Sequence, residues 1–196
     1  MKTNFRVLGV AGSTRQGSYS TQALKIALEY AKKHGVEVRL LELNRIVLPL
    51  YDPTAPGLKE VEHAAEAIAW ADAFILASPD YHGSMSGALK NFLDHFYEEF
   101  AGKLFGYIVA SHEKGLTVMD QMRTVVRQCY GWSMPYGVSI NGSQDFISRE
   151  QANSKLSSRL QMMSRDLVVY GRLVRDQFVR DLSSREKDTF AAHYRS

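Results

Sequence analysis

Five short apolar runs, Arg6 to Ala11, Val36 to Leu41, Phe74 to Ala77, Leu104 to Ala110 and Tyr136 to Ile140, are set apart by segments whose apolar residues recur at helical intervals. The runs are too short and too continuous for amphipathic helices, so they read as buried strands. Between them, Leu24, Leu28 and Ala31, then Val61, Ala65 and Ile68, then Leu89, Phe92, Leu93 and Phe96, then Met119, Met122, Val126 and Cys129 each keep one helical face apolar. Strands joined by helical crossovers run parallel, and right-handed crossovers place helices on both faces. The expectation is an α/β chain with a doubly wound five-stranded parallel sheet. No linker, repeat or low-complexity stretch divides it, so residues 1–196 read as one domain with C-terminal helices from about residue 149.

Boundary residues agree with this pattern. Gly35 follows Lys32, Lys33 and His34, which puts cations in a last helical turn and a left-handed-tolerant residue past it. Ser148 with Gln151 three positions on has the form of a capping box ahead of Leu156, Leu160, Met163 and Leu167. Ser183 with Glu186 marks a final short helix carrying Phe190 and Tyr194.

Charge and cysteine content remove several function classes. The net charge is +3, and residues 149–196 hold ten Lys and Arg against six Asp and Glu. Those charges alternate in sign along the chain, which describes a solvated helical face and not a nucleic-acid surface. No apolar run approaches the ~20 residues of a membrane span. A lone cysteine, Cys129, forms no internal disulfide, and no signal-type apolar stretch precedes the first strand, so the expected compartment is the cytoplasm. The six histidines lack metal-ligand spacing, and no metal site is expected. Cys129 shares an apolar helical face with Met122 and Val126 and reads as a packed thiol; Glu42 reads as a surface carboxylate.

In doubly wound sheets ligands gather beyond the carboxyl ends of the strands where strand order reverses. Three loops lie there: residues 12–20, 78–87 and 111–115. The first reads Gly12-Ser13-Thr14-Arg15-Gln16-Gly17-Ser18-Tyr19-Ser20, between strand and helix. Small residues, hydroxyls and the free N–H groups of a helix start suit an anion. Ser18 stands where a triphosphate-binding loop carries lysine, Tyr19 where it carries its magnesium-binding hydroxyl, and no G-x-G-x-x-G is present. A terminal monophosphate fits better, with Arg15 as its cation. The second loop, Ser78-Pro79-Asp80-Tyr81-His82-Gly83-Ser84-Met85-Ser86-Gly87, has a proline and two glycines that fix its backbone and expose N–H groups at a helix start. Tyr81 and His82 are placed to flank a planar ring.

Together these loops resemble the NADPH-dependent FMN reductase family of the flavodoxin-like superfamily. The resemblance is carried by Gly-Ser-Thr-Arg-x-Gly-Ser at 12–18, Leu-Pro-Leu-Tyr-Asp at 48–52 and Ser-Pro-Asp-Tyr-His-Gly-Ser-Met-Ser-Gly-x-Leu-Lys-Asn-x-x-Asp at 78–94. It implies bound FMN, with Ser13, Arg15, Ser18, Tyr19 and Ser20 around the phosphate, Pro79, Asp80, Tyr81, His82 and Gly83 beside the isoalloxazine, and Ser111 at the ring edge. It implies NADPH or NADH as donor, a small-molecule electron acceptor, and a homodimer or homotetramer with flavin near a subunit interface. This chain has Ser20 where members often have asparagine, and Asp80 and His82 where glutamate and asparagine are more frequent. Ser111-His112-Glu113-Lys114-Gly115 also lacks the usual paired glycines.

The implied chemistry is hydride transfer to flavin followed by electron delivery to free flavin, a quinone, an azo compound or a metal oxyanion. The cofactor performs it, and no side chain is assigned a catalytic role. A non-enzymatic flavin carrier or redox-sensing module is the alternative; carriers of this type are usually strongly acidic, unlike this chain. An enzyme acting on a phosphate ligand without flavin leaves the proline-tyrosine-glycine loop unexplained.

Overall fold

A computed structural model describes residues 4–55 and 59–195. Residues 1–3 of the N-terminal reading, and both ends of the 1–196 domain reading, lie outside them. The chain alternates as the apolar runs require: β1 (Arg6–Ala11), α1 (Tyr19–Lys32), β2 (Glu37–Glu42), α2 (Lys59–Trp70), β3 (Ala73–Pro79), α3 (Gly87–Asp94), β4 (Leu104–Ala110), α4 (Leu116–Gln128), β5 (Trp132–Ser133) and β6 (Val138–Ile140). A single helical turn, α5 (Gly142–Asp145), leads into the strands β7 (Phe146–Ser148) and β8 (Gln151–Ala152). The long helix α6 (Ser154–Ser183) follows.

The central strands are all parallel in the order β2-β1-β3-β4, with β5 and β6 both paired to β4. The fifth position of the sheet is thus filled in two pieces. Pro135 and Gly137 lie between them; proline has no N–H to give a ladder, so pairing lapses there and resumes at Val138.

Alternation along each strand divides the core in two. Leu8, Val10, Phe74, Leu76, Phe105 and Tyr107 face one side, where α2, α3 and α4 pack. Val7, Ala73, Ile75, Leu104 and Ile108 face the other, under α1 and α6. β3 is buried along its whole length, as a strand covered on both faces must be. Phe74 stacks on Phe105 at 4.6 Å between centroids, and each fully buried ring contributes roughly 1.5–3 kcal/mol by leaving water. At the edge of this cluster Lys103 stands 5.6 Å from the Phe74 ring and donates to the Ile68 carbonyl at 2.8 Å. Burial pushes its pKa down to about 8.

Two helix boundaries differ from the sequence reading. Ser148 and Gln151 are cross-strand partners in an antiparallel hairpin, not a capping box. The cap of α6 is Asn153, whose side chain accepts from the Leu156 N–H at 2.8 Å. Residues held in a two-stranded pairing cannot also form a first helical turn, so the helices begin at Ser154 and not near 149. At the other end Ser183 closes α6, and the final turn is a 3-10 helix over Phe190–Tyr194 entered from Thr189. Phe190 and Tyr194 do meet there, at 5.3 Å between centroids, against Phe178.

Candidate functional site

The chain order reverses between β1 and β3, and the loops leaving these strands open side by side at the carboxyl edge of the sheet. After β1, Ser18 caps α1 by accepting from the Thr21 N–H at 3.3 Å. Its hydroxyl also lies 2.8 Å from that of Thr21 and 3.2 Å from that of Ser20. Ser13 accepts from the Arg15 N–H at 3.2 Å, which curls the loop back on itself. The N–H groups of Tyr19 and Ser20 have no acceptor among the described residues. They stand at the positive end of the α1 dipole, so this loop offers donors to an anion.

The β3 loop is a tight turn in which Tyr81 and Ser84 exchange backbone hydrogen bonds of 3.0 and 3.1 Å. Its two central residues have positive φ, 57° at His82 and 77° at Gly83. That combination is the type I′ geometry, which favours asparagine followed by glycine. Asp80 holds the turn from within by accepting from the Gly83 N–H at 2.8 Å, and its other oxygen accepts from the Ser111 hydroxyl at 2.8 Å. One carboxylate therefore joins the loops after β3 and β4. Gln121 of α4 braces the far side, accepting from the Ser84 hydroxyl and the Met85 N–H and donating to the Gly83 carbonyl.

The helix start beyond this turn, Ser86 and Gly87, is not on the lining of the cleft. α3 begins at Gly87, and its cap Ser86 is buried with its side chain on the Leu89 N–H. The side of α3 that carries Leu89, Phe92 and Leu93 is buried in the core.

Of the residues singled out from the sequence, Ser13, Arg15, Ser18, Tyr19, Ser20, Pro79, Asp80, Tyr81 and Ser111 line one open cleft of about 960 Å³. His82 and Gly83 instead border an adjoining cavity of about 770 Å³, which shares Asp80, Ser111 and His112 with the first. Gly83 is one of the two glycines that read from sequence as fixing the loop's backbone. Within the chain the space beside it is free, since a Cβ there would meet nothing nearer than the Thr117 hydroxyl at 4.0 Å.

The cleft also has a wall the sequence reading missed, made by Gly142, Ser143 and the β7–β8 hairpin residues Phe146, Ile147, Ser148 and Arg149. Phe146 packs on Tyr19 at 5.2 Å between centroids, which fastens the hairpin to the start of α1. Two cations, Arg15 and Arg149, reach the cleft, and neither guanidinium has a hydrogen-bond or ion-pair partner among the described residues. Among the described residues, Asp80 is the one carboxylate on its lining.

This geometry presents hydroxyls, unpaired N–H groups and cations around one part of a cleft and a proline-tyrosine wall at another. It suits a molecule with a terminal phosphate and a flat ring. The NADPH-dependent FMN reductase family matches residues 5–145, most of the chain and all three loops. The chain belongs to this family. An FMN-dependent NADPH-azoreductase of Staphylococcus aureus is 30% identical over 169 residues, covering 80% of this chain and 87% of the relative. Among solved structures, a flavoenzyme NAD(P)H:(acceptor) oxidoreductase from Paracoccus denitrificans superposes with a TM-score of 0.73 at 19% identity, over 86% of this chain and 98% of its own. An NAD(P)H:quinone oxidoreductase from Methanothermobacter marburgensis does so with a TM-score of 0.64 at 14% identity, over 85% and 98%. The structural likenesses establish the flavodoxin-like fold, and family membership makes the chain a flavin-dependent NAD(P)H oxidoreductase.

Other residues weighed from the sequence lie away from this cleft. Cys129 is buried beside α4, and burial raises its thiol pKa, as for a packing residue. Glu42 is paired with Lys25 and Arg45. Among the described residues no cluster of side chains suits a metal ion, and no helix is long and apolar enough to cross a membrane.

Proposed function

We propose that the cleft holds FMN, with its phosphate on the β1 loop and its ring against the β3 loop, and that the protein passes electrons from NADPH or NADH to a small acceptor. The observation that carries this reading is the convergence on one cleft of a phosphate-type donor set, hydroxyls together with partner-free N–H groups and a guanidinium, with the Pro79–Tyr81 wall. The Ser13, Ser18 and Ser20 hydroxyls, the Tyr19 and Ser20 N–H groups and Arg15 match the acceptor oxygens of a phosphate monoester.

When bound, the flavin supplies hydride acceptance from the nicotinamide and onward transfer of electrons. The chain's own residues bind and orient. Asp80 fixes the β3 turn to Ser111 so that the two loops bordering the ring keep one spacing. Pro79 and Tyr81 border the ring, and the neighbouring cavity past His82, His112 and Gly115 is the route for nicotinamide and acceptor. No side chain is assigned a proton-transfer role.

Acceptors of the class named for the relatives, azo compounds and quinones, together with free flavin and metal oxyanions, are the substrates to test. A homodimer or homotetramer is part of the same reading. It is supported by apolar side chains left exposed on α6, such as Leu173 at 63% exposure, and in the loop after β2, such as Leu50 at 85%. A cytoplasmic location accords with a single buried cysteine. The second reading, a flavin carrier or redox sensor, draws on the 111–115 loop, which puts Ser111, His112, Glu113 and Lys114 where members of the family usually have paired glycines.

The test is steady-state oxidation of NADPH and NADH by the FMN-loaded protein with each acceptor in turn. Catalytic turnover with at least one acceptor supports the reductase. Bound FMN with no turnover of any acceptor supports the carrier.

A further inference from the structure

The β7–β8 hairpin begins where the family's matched region ends, at residue 145, and it brings Arg149 against the first loop. The contact is close: a Cβ on Gly17 would collide with the Arg149 guanidinium, its nearest atom being Nη2, with Nε at 2.8 Å. Gly17 also adopts φ 64°. The loop therefore leaves room at this position for a guanidinium group and no side chain of its own. The arginine is not held there by an acid, because it has no ion-pair or hydrogen-bond partner among the described residues. The neighbouring Glu150 borders a separate groove on α1 with Lys25 and Lys33. What holds the hairpin in position is the Phe146–Tyr19 ring contact and the Asn153 side chain, which donates to the Gln144 carbonyl at 3.0 Å.

An unpaired guanidinium, packed on the loop whose free N–H groups and hydroxyls face the same cleft, is a binding group waiting for an anion. We propose that Arg149 is a second phosphate-binding residue, which reaches the FMN phosphate from the hairpin packed beside the family loop. The cofactor is thereby gripped by two arginines from separate elements, Arg15 from within the fingerprint and Arg149 from the hairpin beyond it. This proposal rests on the reading of the cleft as an FMN site and adds a residue that sets its preference for the phosphorylated flavin. Ile147, exposed at 68% on the same hairpin, supplies an apolar edge beside the ligand.

The test is equilibrium titration of FMN and riboflavin into the apo forms of the wild type, Arg149→Ala, Arg149→Lys and Arg15→Ala, followed by flavin fluorescence. Losing one charge-assisted contact should weaken FMN binding by Arg149→Ala about tenfold, with riboflavin affinity unchanged. Arg149→Lys should recover part of the loss, because the charge returns without the planar fork. The melting temperature of apo Arg149→Ala should match that of the apo wild type. Unchanged FMN affinity in Arg149→Ala, alongside a loss in Arg15→Ala, overturns the proposal and leaves the flavin site standing. Unchanged FMN affinity with a lowered preference for NADPH over NADH in the loaded enzyme also overturns it, assigning the arginine to the donor's extra phosphate. Failure of the wild type to bind FMN at all overturns both the proposal and the reading beneath it.

Discussion

The hydroxyl of Ser86 donates to the carbonyl of Gly12 across 2.5 Å, joining the cap of α3 to the first residue of the phosphate-type loop. Ser86 is buried, accepts from the Leu89 N–H at 3.1 Å, and gives its own N–H to the Ser78 hydroxyl at 3.0 Å. One small side chain thus caps a helix and sets the spacing between the two loops that form the cleft. Replacing it by alanine removes the cap and leaves a buried carbonyl without that donor, each a loss of about 1–2 kcal/mol. Ser86→Ala should lower apo stability in urea unfolding by about 2–3 kcal/mol and weaken FMN and riboflavin alike. A loss confined to FMN would mean that Ser86 acts on the phosphate and not on the frame.

Arg15 should behave in the opposite way. Its guanidinium has no partner among the described residues, so removing it breaks nothing inside the apo protein. A charge-assisted contact contributes about 1.5–3 kcal/mol, so Arg15→Ala should weaken FMN roughly ten- to a hundredfold. Riboflavin, which lacks the phosphate, is the control and should bind as before. Apo melting temperatures should coincide, with a difference emerging only when FMN is added. Equal losses for the two flavins would take Arg15 out of the phosphate site.

The type I′ turn supplies a paired test. Gly83 sits at φ 77° with open space around it, so the cost of a side chain there is backbone strain and not collision. Gly83→Val should destabilise the apo protein by about 1–3 kcal/mol, since β-branched residues avoid this region. His82, at φ 57°, is a residue asparagine replaces well, and His82→Asn should be neutral or raise stability by a few tenths of a kcal/mol. Thermal melts of both variants check the pair. A neutral Gly83→Val would show that the turn is not held in this geometry.

Lys103 gives a pH signature. Burial lowers its folded pKa to about 8 from 10.5, so above pH 8 the folded protein releases a proton that the unfolded chain keeps until about 10.5. Stability from this group therefore rises with pH through that window. Tyr107 and Tyr136, whose pKa values are raised chiefly by burial, act the other way above about pH 10, and Cys129, also raised by burial, does so from about pH 9; the comparison is therefore kept below pH 10 and made against a variant that shares Cys129. Urea midpoints at pH 8 and pH 9.5 should rise more in the wild type than in Lys103→Met. A larger rise in the variant would contradict the assignment.

The sheet was legible because burial on both faces writes itself as continuous apolar runs, and β3 and β4 follow theirs closely. The family motifs were legible because loops such as 78–87 combine proline, glycine and hydroxyls in a distinctive order. The hairpin was not. Strands of two and three residues carry almost no period, and Ser148 with Gln151 fits a capping pattern equally well until Asn153 is seen to hold the cap. β5 is two residues long and hidden for the same reason. Arg149 and Gln121 escaped notice because each reads locally as a solvated polar residue. Each meets its loop through tertiary packing, Arg149 across from Gly17 and Gln121 beneath Ser84. Such contacts join positions far apart in the chain and leave no local pattern.

The most direct measurement is a spectroscopic titration of the FMN-loaded protein with NADPH in the absence of oxygen. The yellow flavin absorption should bleach within the mixing time of ordinary catalysis and return when a quinone or azo compound is added. A protein that binds no FMN would contradict the account at its base. Bound flavin that stays yellow with NADPH and NADH but bleaches with dithionite would contradict the reductase and leave a carrier or sensor in its place.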